Sequence, residues 1–350
     1  MISGASAPGW SPAWEAARCA VDPEGVWTPV RITVEYRGAY HAIGEAGTAW
    51  VELTGRAYND AGDKRALPAV GDFVLVERWT EAVGGAGAAT VRAVLPRQSL
   101  LVRKAAGEAT LPQPLAANVD VGIVMTSANA DLSPARLERY IGLLRDGGIE
   151  PVIAVSKLDL VADPAAVLAA AASVTPRVVG ISTISGAGIE TVRALGGEGR
   201  TAVVLGSSGV GKSSLLNAMI GTAQETRGIK ADMRGRHTTT RRELFVASDG
   251  SLWIDTPGMR ELAQWIDDAA AAADAEAIFH DIAGLGAQCR FRDCRHQQEP
   301  GCAVRGAIAP ERLARFRKLE GEREVASERQ AAAAALRLRK RAKKVPPPTE

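Results

Sequence analysis

No run of about 18 uncharged apolar residues occurs in the 350-residue sequence, so it lacks the stretch a helix needs to cross a bilayer. The opening residues hold no basic segment leading into an apolar one; neither secretion nor a membrane partner is expected, and a cytoplasmic location is. Cysteine is scarce at four residues, too few for a secreted disulfide framework, and three of the four crowd between Cys289 and Cys302. That crowding favours a metal. Charge is nearly balanced, with a formal net of +2, which alone does not argue for nucleic-acid binding. The run from Arg337 to Lys344 is basic and reads either as a solvated tail or as a local patch. Internal repeats are absent as well. A chain this long holds two or three cores, and a multidomain globular protein is the expectation.

Residues 1–25 are rich in Trp, Pro and Ala and read as an irregular extension. Over 26–110 short alternating segments follow, with strands expected near Val26–Glu35, Ala39–Ile43, Ala49–Thr54, Asp72–Glu77 and Thr90–Val94. Five short strands without a long helix between them suggest an oligonucleotide-binding (OB-type) β-barrel, an SH3-like barrel being the alternative. From 111 to 270 the pattern becomes strand, helix, strand: Val119–Met125, a helix from Ser133 to Asp146, Pro151–Val155, a helix from Pro164, Val178–Ile181 and Ala202–Leu205. Such repetition means a parallel α/β sheet covered on both faces. Leu244–Ala247 and Leu252–Ile254 read as a hairpin. Residues 271–325 form a third, mostly helical unit around the cysteines, and 326–350 a basic, Ala-rich tail.

The segment Gly206, Ser207, Ser208, Gly209, Val210, Gly211, Lys212, Ser213 matches the Walker A phosphate loop between a strand and a helix. Glycines let successive backbone N–H groups point at phosphates while the following helix offers its positive end. Lys212 is placed to reach the β- and γ-phosphates, and Ser213 to hold Mg²⁺. The base is read by Ser156-Lys157-Leu158-Asp159. A carboxylate at Asp159 accepts from the N1–H and 2-amino groups of guanine, whereas adenine offers no such donors. Lys157 lays its stem along the base, and Ser156 stands where Asn or Thr is usual. Ser182-Thr183, after another strand, is the candidate for a backbone contact to guanine O6.

Asp255-Thr256-Pro257-Gly258 supplies a carboxylate for Mg²⁺ through water and a glycine N–H for the γ-phosphate. Between this segment and the phosphate loop lies Arg236-His237-Thr238-Thr239-Thr240, in the place of a first switch, with Thr239 favoured over Thr238 as a Mg²⁺ ligand. Met259 and Arg260 stand where many such enzymes carry a water-orienting glutamine. Slow intrinsic hydrolysis follows. His237 is the nearest group by sequence that could assist, and packing or partner contact is its other reading. The guanine segment precedes the phosphate loop, the reverse of the ordinary order, which implies a circularly permuted GTPase core.

Cys289, Cys294, His296 and Cys302 make C-x4-C-x-H-x5-C, a set able to surround one structural Zn²⁺ with no position left open. Arg290, Arg292, Arg295 and Arg305 surround it, for solubility or for RNA contact.

Taken together, SKLD, GSSGVGKSSLLNAM, GRHTTTRREL, DTPGMREL and CRFRDCRHQQEPGCAV, preceded by PRQSLLVRK and LAANVDVGIVM, resemble the bacterial ribosome small subunit-dependent GTPases, over roughly Val26 to Lys318. The resemblance implies an N-terminal OB-fold, a central permuted GTPase domain and a C-terminal zinc domain. It also implies late maturation of the small ribosomal subunit, contact with its rRNA, subunit-stimulated GTP hydrolysis and release. By the same resemblance Gly206 to Ser214 bind phosphates, Ser156, Lys157 and Asp159 bind the base, and the four Cys and His residues bind zinc. His237 corresponds to a proposed catalytic histidine. A monomer is expected. Two other classes compete: an RNA-binding assembly factor with a nucleotide it never hydrolyses, and an ATP-dependent enzyme of small metabolites, which Asp159 disfavours.

Overall fold

The computed structural model describes residues 7–36, 39–60, 64–103, 113–129, 131–207, 209–220, 242–255, 279–318 and 320–321. Among the expected site residues Ser208, His237, Thr239 and Gly258 lie outside these, as does the tail over 326–350. Two compact units divide the chain, Met1–Trp265 and Ile266–Glu350.

Where an irregular extension is expected, helix α1 (Pro12–Val21) forms, with extended Ser11 before it and Pro12 in its first turn. The tryptophans that made this stretch read as irregular are its packing face. Trp14 is buried against Phe73 with ring centroids 4.6 Å apart, and Trp10 meets the same ring edge-on at 5.2 Å. Asp22 then turns the chain, its carboxylate accepting from the N–H groups of Val26 and Trp27 at 3.2 and 2.8 Å.

Strands β1 (Thr28–Tyr36), β2 (Ala39–Gly44), β3 (Gly47–Glu52), β4 (Phe73–Glu77) and β5 (Ala89–Val94) follow close to the expected bounds, with short helices α2 (Gly55–Asp60) and α3 (Trp79–Val83) between them. They close into a barrel in the order β1-β2-β3-β5-β4, with β4 returning to β1. Val30, Ile32, Tyr40, Val51, Val74, Val76 and Val91 share its interior. β4 is apolar at both parities because both faces are covered: Val74 and Val76 face the barrel core while Phe73 and Leu75 join the cluster under α1.

The second half of this unit runs β6 (Leu100–Arg103), β7 (Gln113–Ala117), β8 (Val121–Ser127), α4 (Pro134–Asp146), β9 (Glu150–Ser156), α5 (Pro164–Ala172) and β10 (Val178–Gly180). It continues through α6 (Ile189–Gly196), β11 (Thr201–Gly206), α7 (Lys212–Ile220), β12 (Glu243–Val246) and β13 (Leu252–Asp255). β6 and β7 make a separate antiparallel ribbon that was not anticipated and that straddles the boundary expected at residue 110. Strands β10, β9, β8, β11 and β13 are parallel neighbours and β12 pairs antiparallel with β13. Side chains cap the helices as the sequence suggests: the N–H of Arg136 donates to Ser133 Oγ at 3.5 Å and that of Ala166 to Asp163 at 3.0 Å.

Barrel and α/β sheet do not form separate hydrogen-bonded sheets. Past a bulge at Ile32/Val34, β1 pairs with β12 at Val34 and Glu243, so one eleven-stranded sheet runs through both. Arg242 reinforces the seam by donating to Glu35 at 3.0 Å and to the Pro114 carbonyl at 3.1 Å.

Arg31 fastens four segments at the same seam. Its guanidinium, on a side chain nearly removed from water, donates to Pro8 O at 2.9 Å, Gly71 O at 3.2 Å, Asn118 O at 3.3 Å and Thr201 Oγ1 at 2.7 Å. Burial pushes its pKa down to about 10, against the pull of Asp120 and Asp72, so it stays charged at neutral pH. Arg31→Ala strands those acceptors together with the buried negative field. The expected loss is about 3–5 kcal/mol of unfolding free energy, measured by denaturant melts, with Arg31→Lys restoring only part because an ammonium cannot span the same fork.

The second unit contains helix α8 (His280–Gly286) and a helix over 310–318. Phe279, Ile282, Val304, Leu313 and Phe316 form its core, with Cys289 and Cys302 packed against it. The bidentate pair of Arg312 with Asp281, at 2.8 Å for each bond, ties its two helices. Among the described residues no helix is long and apolar enough to cross a membrane.

Candidate nucleotide and metal sites

Strand order places the expected nucleotide residues on one edge of the sheet. β11 lies between β8 and β13, and β9 lies next to β8, so the C-terminal ends of all four open towards the same crevice, where ligands bind in such sheets. The phosphate loop leaves β11 at Gly206, whose φ is +137° and where an added Cβ would stand 2.2 Å from the Met125 carbonyl. Only glycine fits there. Lys212 opens α7 and folds back over the loop, its Nζ donating to Gly206 O at 2.8 Å and Ser207 O at 2.5 Å.

Asp255, at the end of β13, faces the same place. Burial lowers the Lys212 pKa while Asp255 and Asp131 pull it up; burial raises the Asp255 pKa while Lys212 pulls it down. Each charge is partly desolvated and held by the other's field, the condition in which phosphate and Mg²⁺ gain most from binding.

The guanine segment is bound to the phosphate loop by two contacts. Ser156, buried at the end of β9, lies 2.7 Å from Val210 O and 3.1 Å from Thr126 O through its Oγ. Lys157 adopts a left-handed backbone, φ +59°, and its Nζ donates to Gly209 O at 2.9 Å. A non-glycine residue in that region stores strain typical of functional loops. The backbone reversal sets Asp159, exposed, in a 3-10 turn over Leu158–Leu160. Gly180 accommodates this turn, since a Cβ there would meet Leu158 Cδ1 at 2.4 Å. Ser182 is buried at the end of β10, where its N–H donates to Ala187 O at 3.0 Å and its Oγ accepts from Ser185 at 3.3 Å. Its own N–H is thus committed within the loop.

Arg31 and Arg136 are the polar groups that sequence reading passed over. Arg136, in the first turn of α4, reaches Ser207 of the phosphate loop. A basic residue at the positive end of a helix opposes the macrodipole, and that local conflict was the available signal.

In the second unit Cys289, Cys294, His296 and Cys302 bring one ligand atom each within 4.8 Å of one another. Cys289 Sγ is 4.0 Å from Cys302 Sγ, and His296 Nδ1 is 3.6 and 3.5 Å from the two sulfurs. Tetrahedral zinc with Zn–S near 2.3 Å requires S···S edges of about 3.8 Å, so the donor set fits one ion through Nδ1. His296 holds its place from a left-handed backbone, φ +58°, with its carbonyl accepting from Arg317.

A family described as RsgA GTPase matches residues 94–265. Small ribosomal subunit biogenesis GTPase RsgA of Opitutus terrae is 40% identical over 86% of this chain and 85% of its own length. The protein of that name from Xylella fastidiosa strain 9a5c is 38% identical over 89% of both chains. Among solved structures, YjeQ from Thermotoga maritima has a TM-score of 0.63 at 25% identity, covering 84% of this chain and 98% of its own. YloQ, a circularly permuted GTPase, shares the fold with a TM-score of 0.61, covering 87% of this chain and 97% of its own. With relatives of that name 38–40% identical over most of its length, the chain belongs to the RsgA GTPase family.

Proposed function

We propose that this chain binds the small ribosomal subunit late in its assembly, hydrolyses GTP under stimulation by that subunit, and leaves once the product is GDP. The observation that carries the reading is the cross-tie of Ser156 and Lys157 to Val210 and Gly209. Base recognition and phosphate recognition are thereby one mechanical unit inside a family named for small-subunit biogenesis.

Gly206, Ser207, Ser208, Gly209, Val210, Gly211, Lys212, Ser213 and Ser214 then take the phosphates, with Ser213 and Thr239 on Mg²⁺. Asp255 acts on that ion through water, and Gly258 donates to the γ-phosphate. Asp159, Lys157, Ser156 and the Ser182 loop hold guanine. His237 is the group we assign to assist water attack in place of the missing glutamine. Cys289, Cys294, His296 and Cys302 hold one structural zinc, and the barrel and the arginine-rich zinc loop meet rRNA. The protein acts as a cytoplasmic monomer, by this reading, in three domains over 26–110, 111–270 and 271–325.

Co-sedimentation tests the cycle. The chain should pellet with purified small subunits in a nonhydrolysable GTP analogue and stay in the supernatant in GDP. Equal pelleting in both states would remove the switch.

A further inference from the structure

We propose that Arg136 is a positioning residue for nucleotide binding: it holds the phosphate loop in its receiving shape through the side chain of Ser207, and Asp131 holds Arg136. Nη1 of Arg136 donates to Asp131 Oδ1 at 2.7 Å and to Ser207 Oγ at 3.1 Å. The ion pair is largely withdrawn from solvent, with side-chain exposures of 30% and 20%. Ser207 is also where Lys212 rests, its carbonyl accepting from Nζ at 2.5 Å. One loop residue therefore receives the arginine on its side chain and the phosphate-binding lysine on its backbone.

These two contacts behave differently when phosphates arrive. An ammonium has three N–H donors, so Lys212 can keep two on the Gly206 and Ser207 carbonyls and turn the third to phosphate, its bracing of the loop then shared with the ligand. Arg136 reaches Ser207 through the side chain, and nothing in phosphate binding requires that bond to break. It braces the loop without drawing on the lysine, so part of the ordering cost is met before nucleotide enters. Asp131 serves twice, fixing the guanidinium and adding to the negative field on Lys212.

The placement follows from the fold. β8 and β11 are adjacent and parallel, with Met125 opposite Gly206, so the turn after β8 and the first residues of α4 come up beside the phosphate loop. Ser133 and Pro134 start the helix, and Arg136 stands in that first turn where the macrodipole disfavours a cation. A residue that breaks a local rule needs a compensating contact, and Asp131 and Ser207 supply it.

The inference rests on the nucleotide-binding reading and not on the ribosomal one, and its test uses no ribosomal subunits. Arg136→Met, Ser207→Ala and the double variant are titrated with fluorescent GDP and a nonhydrolysable GTP analogue, with nucleotide-free melting temperatures and single-turnover rates recorded alongside. A charge-assisted bond sets the scale at about tenfold or more in affinity. Each single variant is expected to lose about tenfold for both nucleotides, the double variant to lose no more than either single one, and Arg136→Lys to recover part of the loss. The melting temperature of Arg136→Met and its single-turnover rate at saturation should stay near those of the parent. Additive losses, unchanged affinities, or a fall in the single-turnover rate of Arg136→Met at saturation would overturn the proposal; the last would mean that the arginine acts on the transferred phosphoryl group directly.

Discussion

Removing metal from the Cys3His cluster, by a strong chelator or by Cys302→Ala, should unfold the second unit and leave the first folded. Among its described residues few apolar side chains are fully buried, and Cys289 and Cys302 pack against the cluster of Phe279, Ile282 and Phe316. Segments of this size seldom hold together on apolar burial alone. Structural zinc in small domains contributes about 10–16 kcal/mol at neutral pH, more than such a core supplies. Losing it should take hydrogen-exchange protection in 279–318 to near zero. Guanine-nucleotide binding, which depends on β9, β11 and α7 of the first unit, should persist. Retained protection after chelation would show that the cluster is a passive thiol group. A sulfur-to-oxygen change, Cys302→Ser, should behave like the alanine variant, because the ligand that matters is a thiolate.

Asp159→Asn should invert the base preference. A carboxylate at that place accepts from both N1–H and the 2-amino group; an amide accepts from one and points its own N–H at the other. GTP binding should then fall by about 10²- to 10⁴-fold, the cost of one lost charge-assisted bond and one donor facing a donor. Xanthosine triphosphate, with a carbonyl at position 2, restores the match and should bind the variant better than GTP does. Competition titrations read this directly. Equal loss for both nucleotides would mean that the exposed 3-10 turn over Leu158–Leu160 does not face the base.

How much of this was readable beforehand depended on the range of each interaction. Walker A is local: glycine spacing, Lys212 and the strand-to-helix junction fall within a few residues, and the geometry at Gly206 follows from them. Cys289 to Cys302 is nearly as local, and ligand spacing alone anticipated a tetrahedral donor set. Strand alternation also placed all five barrel strands. What alternation could not show was which strand of the barrel meets the α/β sheet. That junction depends on Val34 opposite Glu243 and on Arg31 reaching Pro8, Gly71, Asn118 and Thr201, partners up to 170 residues away. Helix α1 was missed for a related reason. Its tryptophans gain their meaning only from Phe73 on a distant strand, and in isolation Trp, Pro and Ala read as irregular chain. Arg136 belongs with these, since its contact with Ser207 crosses 71 residues.

Ser156 stands where Asn or Thr is usual, and its Oγ lies 2.7 Å from Val210 O in the phosphate loop. A serine there retains the tie between base and phosphate segments. Met259 remains a reason for slow intrinsic turnover, because a thioether cannot orient water.

The most direct test of the central claim is the rate of GTP turnover by the purified chain alone and with saturating small ribosomal subunits. A slow basal rate that rises severalfold or more on adding subunits, and that is abolished in both conditions by Lys212→Ala, is the result predicted. No rise at saturating subunit, with the chain shown to be bound, would contradict it.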